Sequence, residues 1–194
     1  MKQESETTDG RVRRSERSRA AMVQALFDLV GEGVLQPTAQ QVAERANVGI
    51  RTVFRHFSDM DSLLAEIDER VRTQALPLLQ EARSGGGLDG RARGLVERRI
   101  RFFEQIAPYK RSGNIQRWRS AFVARQHAAL VRELRADLLG WLPELRRAPA
   151  ELVEALDVAL SFEVWDRLRT DQRLGRERAS AAIGRLVAAL LNTL

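Results

Sequence analysis

The sequence predicts an all-α fold: three helices in the first sixty residues, two of them meeting at a tight turn, and then a larger helical bundle. Three observations lead there. Ala, Leu, Arg and Glu dominate a chain with only 5 prolines in 194 residues, a composition that favours helix. Apolar residues recur at spacings of three and four, the period of an amphipathic helix. Helix start and stop signals fall between these periodic stretches rather than inside them.

Residues 1–10 carry no apolar period and hold the turn pair Asp9-Gly10, so a mobile arm is expected there. From about Ser15 to Gly31, the positions Ala20, Val23, Phe27 and Val30 share one helical face, and Gly31 and Gly33 close the helix. Thr38 opens the next one, where its hydroxyl can cap the free amides and Gln41 can return the bond as a capping box. A short helix over Ala39–Ala46 follows. Asn47 suits the left-handed residue that ends it, and Gly49 can cap a second short helix reaching about Phe57. Residues 11–57 thus form the first domain, and 58–194 the second.

Ser58-Asp59 offers a cap for a longer helix carrying Leu63, Leu64, Ile67 and Val71, and Ser84-Gly-Gly-Gly87 ends it as a connector. A flexible connector is favoured there over a phosphate-cradling loop, because no strand precedes the glycines and no Gly-Lys-Ser/Thr follows. Further helices are expected near Asp89–Ile106, Asn114–Leu142, Ala150–Arg169 and Gly175–Asn192, punctuated by Pro108, Pro143 and Pro149.

With 44% hydrophobic residues the chain can bury a core. No cysteine is present, which removes disulfides and thiolate chemistry. A secretory leader is absent from the polar start, and no apolar run approaches the ~18 residues of a membrane span, so a cytoplasmic protein is expected with no membrane partner. The two histidines and the lack of His-Glu-x-x-His, Gly-x-Ser-x-Gly or phosphate-loop patterns argue against an enzyme, and no metal or cofactor is expected. The net charge of +6 points to an anionic partner. Between Arg11 and Phe57 lie Arg11, Arg13, Arg14, Arg17, Arg19, Arg45, Arg51 and Arg55, against Glu16, Asp28, Glu32 and Glu44.

The stretch Thr38–Phe57 has the anatomy of a helix-turn-helix, with Val42 and Val53 where the helices face each other, Ala43 small at the crossing, and Val48 filling the corner. A step of 100° per residue places Val53 and Phe57 together and Arg51 and Arg55 on the far side. Two outward guanidiniums one turn apart are what guanine edges or phosphates in a major groove require, so double-stranded DNA is the expected partner. Solvation of a surface helix is the bland alternative for both arginines.

In order and spacing, Leu29-Val-Gly-Glu-Gly33, Thr38, Val42-Ala43, Ala46-Asn-Val48, Arg51-Thr-Val-Phe-Arg-His-Phe57 and Leu63-Leu64 resemble the TetR family of bacterial transcriptional regulators. The resemblance covers about residues 14–67. It implies that Thr38, Gly49, Ile50, Arg51, Thr52, Phe54, Arg55 and His56 lie at or near DNA, with Phe54 and His56 on backbone phosphates. It also implies a repressor released from a palindromic operator by a small-molecule effector, with residues 58–194 as dimerisation and ligand-binding domain. The chain departs from the family pattern at Asn47 (usually Gly), Gly49 (usually Ser), Phe54 (usually Tyr) and Met60 (usually Lys), which removes two hydroxyls and one ammonium from phosphate contact. The Arg11–Arg19 stretch is one candidate to replace that ammonium, and a solvated charge run is its alternative.

The last helix is apolar over more than one stripe, from Ala179 through Ile183, Leu186 and Leu190, so it needs cover on two sides. A homodimer through about residues 150–194 supplies the second side and is similar to the family's arrangement. Phe103, Trp118, Phe122, Phe162 and Trp165, with Phe102 beside them, are candidates to line an effector pocket. His127, Glu163 and Asp166 are candidates to orient a ligand, and plain core packing is the alternative for each aromatic residue. The competing function is a helical ligand-binding or interaction dimer that has lost specific DNA binding.

Overall fold

A computed structural model describes the backbone of residues 3–57, 60–81 and 86–194, and the side chains of residues 13–56, 61–81 and 86–194. Among them are nine α-helices and no strand: α1 Gln3–Gly31, α2 Ala39–Ala46, α3 Ile50–Phe57, α4 Met60–Gln80, α5 Leu88–Gln116, α6 Ala121–Trp141, α7 Ala150–Ala159, α8 Phe162–Asp166 and α9 Arg176–Leu191. A 3-10 turn spans Pro143–Arg147, and a π-helical turn, Arg167–Asp171, extends α8. No described helix is long and apolar enough to cross a membrane.

Helices α2 and α3 have the bounds read from the sequence. Four other elements differ. α1 begins at Gln3, so its backbone is helical through residues 3–10, where apolar periodicity gives no sign of a helix because that period reports burial rather than helicity. The side chains of that stretch, with Arg11, Phe57, the Ser58-Asp59 cap and Met60, lie outside the described residues.

α5 runs through Pro108 to Gln116 instead of stopping at Ile106. The proline deletes one helical hydrogen bond and crowds the preceding turn, a cost of about 3 kcal/mol. Burial of Ile106 and Ala107 before it, and the stack of Tyr109 on Phe27 at 4.7 Å after it, hold the helix together. α6 starts at Ala121 rather than Asn114, because Ser120 caps it by accepting from the Val123 amide at 3.2 Å. The helix expected over 150–169 breaks at Leu160-Ser161, where Ser161 accepts from the Val164 amide at 3.3 Å and starts α8.

The chain forms two compact units, one of residues up to Arg72 with Pro108–Ala124, the other of Thr73–Ala107 with Arg125–Leu194. In the first, Val23 of α1, Val42 of α2 and Val53 of α3 are fully buried, with Leu63 and Ile67 of α4 completing the core. Gly33, at φ +97°, turns the chain out of α1 in a conformation that side chains disfavour. A Cβ on Gly31 would stand 2.9 Å from the Tyr109 hydroxyl, so glycine permits that close approach. In the second unit, Phe103 meets Phe162 edge-on at 5.7 Å, and Leu138, Leu156 and Trp165 are fully buried.

Two buried arginines organise the second unit. Arg98 donates to both carboxylate oxygens of Asp137 and to the Leu79 carbonyl, with its guanidinium 4.5 Å from the Trp141 ring centre. Arg99 donates to the Leu160 carbonyl at 3.1 Å, to the Leu134 carbonyl, and to Asp137 Oδ2 at 3.3 Å. Leu79 lies in the last turn of α4 and Leu160 caps the end of α7, so these donors occupy carbonyls left without helical partners.

Candidate nucleic-acid interface

The turn between α2 and α3 is built from local chemistry. The Gln41 amide donates to Thr38 Oγ1 at 3.2 Å while the Thr38 amide donates to Gln41 Oε1 at 2.8 Å, closing the capping box. At the other end of α2, Asn47 adopts φ 52°, ψ 47°, and the Val48 amide returns to the Ala43 carbonyl at 3.0 Å. The Gly49 carbonyl then accepts from the Thr52 and Val53 amides at 2.8 and 3.3 Å, which starts α3. A side chain at Gly49 would meet nothing within 4 Å, so glycine is not required there by space.

These constraints fix which side of α3 faces outward. Val53 is 0% exposed against Val42 and Ala43, and Ile50 is half-buried against the same cluster. Arg51 and Arg55 are exposed, as is the Phe54 ring at 62%, while Thr52 is half-buried. Thr38 and Gly49 are exposed at the start of their helices. Of the eight residues expected at DNA, Thr38 caps α2 and the other seven lie between Gly49 and His56, at and along α3.

His56 is the one half-buried ionisable group in α3. Burial first, and then the charges of Arg55 and Arg19, hold its imidazole below the ordinary value of 6.5, favouring the neutral form at neutral pH. Its Nε2 is buried without a hydrogen-bond partner.

Two basic residues counted with this surface are engaged elsewhere. Arg19 donates to Glu66 Oε1 and to Ser62 Oγ, both at 2.6 Å, tying α1 to α4. Arg45 makes a two-pronged pair with Glu32 at 2.8 Å on both arms, which lowers the glutamate's pKa. Their partners lie 13 to 47 positions away in sequence, so no local pattern announced them. Arg17 donates to the Arg13 carbonyl at 3.3 Å within α1.

The residues expected in an effector pocket divide between the units. Phe103, Phe162 and Trp165 are each buried in the second, with Phe103 and Phe162 in contact. Trp118 and Phe122 belong to the first, and the Trp118 ring, 82% exposed, lines no enclosed cavity. It ends a helix that Pro108 failed to stop, and so lies on a surface turn rather than inside α6. Of the polar candidates, His127 lies on α6 and Glu163 and Asp166 on α8.

Residues 29–67 match the family model for bacterial regulatory proteins of the tetR family. The fold is similar to the crystal structure of a transcriptional regulator from Rhodococcus sp. Rha1, with a TM-score of 0.63 and 20% sequence identity over 92% of this chain and 96% of that one. No curated protein matches.

Proposed function

We propose, from the match of residues 29–67 to the family model for bacterial regulatory proteins of the tetR family, that the chain is a transcriptional repressor that binds a palindromic operator as a homodimer and leaves it when a small molecule binds. The observation that carries this reading is the outward display of Arg51, Phe54 and Arg55 on a helix whose opposite side is pinned by a fully buried Val53. In it Arg51 and Arg55 reach base edges or phosphates. Thr38, Gly49, Ile50, Thr52, Phe54 and His56 complete the contact, with the Phe54 ring packing where a hydroxyl is missing.

The dimer reading rests on α9. Ala179, Ile183, Val187 and Leu191 form its buried stripe, while Ala181, Ala182, Leu186 and Ala189 remain exposed, with Leu186 at 44%. A second copy covering that face brings two α3 helices to one duplex, and two-fold symmetry of the protein demands a two-fold operator. The functional division follows the sequence, with residues 11–57 reading DNA and 58–194 pairing and sensing.

Effector sensing is assigned to the second unit. Phe103, Phe162 and Trp165 are its candidates there, and Trp165 Nε1 is a buried donor without a partner. α4 runs unbroken from the first unit into the second, and an effector acts through it only as far as its affinity differs between the two arrangements.

Selection of bound duplexes from a random pool tests the proposal. A single palindromic sequence is the expected result. Recovery of no sequence would leave a helical ligand-binding dimer in its place.

A further inference from the structure

We propose that the turn Arg117–Trp118–Arg119 is a second DNA-contacting element, seated on the sugar-phosphate backbone flanking the bases read by α3. This rests on the DNA-binding reading above and adds a surface that the helix-turn-helix does not include.

Charge comes first. Residues 108–124 contain Lys110, Arg111, Arg117 and Arg119 and no Asp or Glu, so the segment is cationic in composition. The turn centres on an 82% exposed tryptophan with the Arg117 guanidinium 4.9 Å from its ring centre, and Arg119, next in sequence, is exposed. An isolated exposed aromatic residue needs no explanation. One with a guanidinium over its ring and a second arginine next in sequence presents an apolar plate with planar cations close by, the pairing that suits a deoxyribose face between phosphates.

Position comes second. This segment belongs to the same compact unit as the helix-turn-helix. Ser120 Oγ donates to Asp61 Oδ1 at 2.9 Å, and Asp61 is the second residue of α4, four positions past the end of α3. Because Ser120 also caps α6, one residue at the C-terminal end of the turn ties it both to the helix that leaves α3 and to the helix that follows. Residue 60, beside Asp61, is a methionine and brings no charge to a phosphate. Arginines supported one residue from it supply that charge from a different part of the chain.

A duplex backbone is favoured over an acidic protein segment because the turn shares its unit with α3, so one ligand satisfies both. The contact is independent of base sequence, and each phosphate-bound arginine adds about 0.9 to the slope of log affinity against log salt.

The full-length protein and its Arg117→Ala/Arg119→Ala and Arg51→Ala/Arg55→Ala variants, checked for fold by circular dichroism, are titrated across a salt series. The probe is the duplex that wild type recovers from a random pool, used with ~10 flanking base pairs and again trimmed to the specified bases. The turn variant, which removes two arginines from each protomer of the dimer, is expected to lose about 3.6 units of slope on the long duplex while selecting the same sequence, and to match wild type on the trimmed one. Loss of base preference is expected only in the α3 variant. A turn variant with wild-type slope on both duplexes overturns the proposal and leaves the α3 reading standing. A change in sedimenting mass instead makes the turn a self-association surface and also overturns it. Failure of wild type to bind any duplex overturns the α3 reading and this proposal together.

Discussion

Thr38 and Gln41 exchange hydrogen bonds across the first turn of α2, each amide donating to the other residue's side-chain oxygen. The pair satisfies two amides that a helix start leaves open, and it orients the helix against which α3 packs. Thr38→Ala is expected to lower unfolding free energy by about 1 kcal/mol, read from urea midpoints. Thr38→Ser, which keeps the acceptor oxygen, should recover most of that. Equal midpoints for all three proteins would remove the cap from any part in stability.

Asp137 is the carboxylate shared by two guanidiniums that are 3% and 1% exposed. Burial disfavours the charge on Arg99, and the Asp137 carboxylate is the main group opposing that effect. Replacing it with Asn leaves both cations without their counter-charge, and removal of one partner from a buried pair costs about 3–5 kcal/mol. Chemical denaturation of Asp137→Asn checks this, and a loss under ~1 kcal/mol would show that the backbone carbonyls alone suffice.

Leu186 lies on the uncovered side of α9. Leu186→Glu places a charge at the centre of the proposed pairing face while leaving the buried Ile183–Val187 stripe in place. Sedimentation is expected to show a dimer for wild type and a monomer for the variant, with helical content unchanged. A variant that remains dimeric would move the interface elsewhere.

Acid sensitivity should come in two windows. His56 has a folded-state pKa below its unfolded value of about 6.5. Its contribution is therefore present above 6.5 and is lost as pH falls through the lower, folded value. Glu32, Glu144 and Glu154 are lowered from 4.5 by hydrogen bonds from Arg45, Arg91 and Arg135 respectively, so their contributions fade only below 4.5. Melting temperatures against pH should fall below pH 6.5 in wild type and less steeply in His56→Gln, with both falling again below 4.5. Parallel curves between pH 6.5 and 4.5 would assign the first step to another group.

What was legible in the sequence was whatever short-range chemistry sets. The cap, the left-handed Asn47 and the alternation of Val53 with Arg51 and Arg55 all act within four residues of one another, and α2 and α3 appear where those signals put them. The fate of Pro108 was not legible, because it depends on Tyr109 meeting Phe27, 82 positions earlier. Ser161 was a legible signal, since a serine whose hydroxyl oxygen accepts from the amide three residues on is a usual start of a helix. The buried roles of Arg98 and Arg99 could not be read at all. Arginine is expected on the surface, and their partners lie 19 to 61 residues away.

A reading role for α3 is tested most directly by competition between the selected duplex and a scrambled duplex of equal length, for wild type and for the Arg51→Ala/Arg55→Ala variant. If the arginines contact base edges, the variant should lose about 1–3 kcal/mol of discrimination for each one while keeping nonspecific, salt-sensitive binding. Unchanged discrimination in the variant would contradict the assignment of α3 as the element that reads DNA.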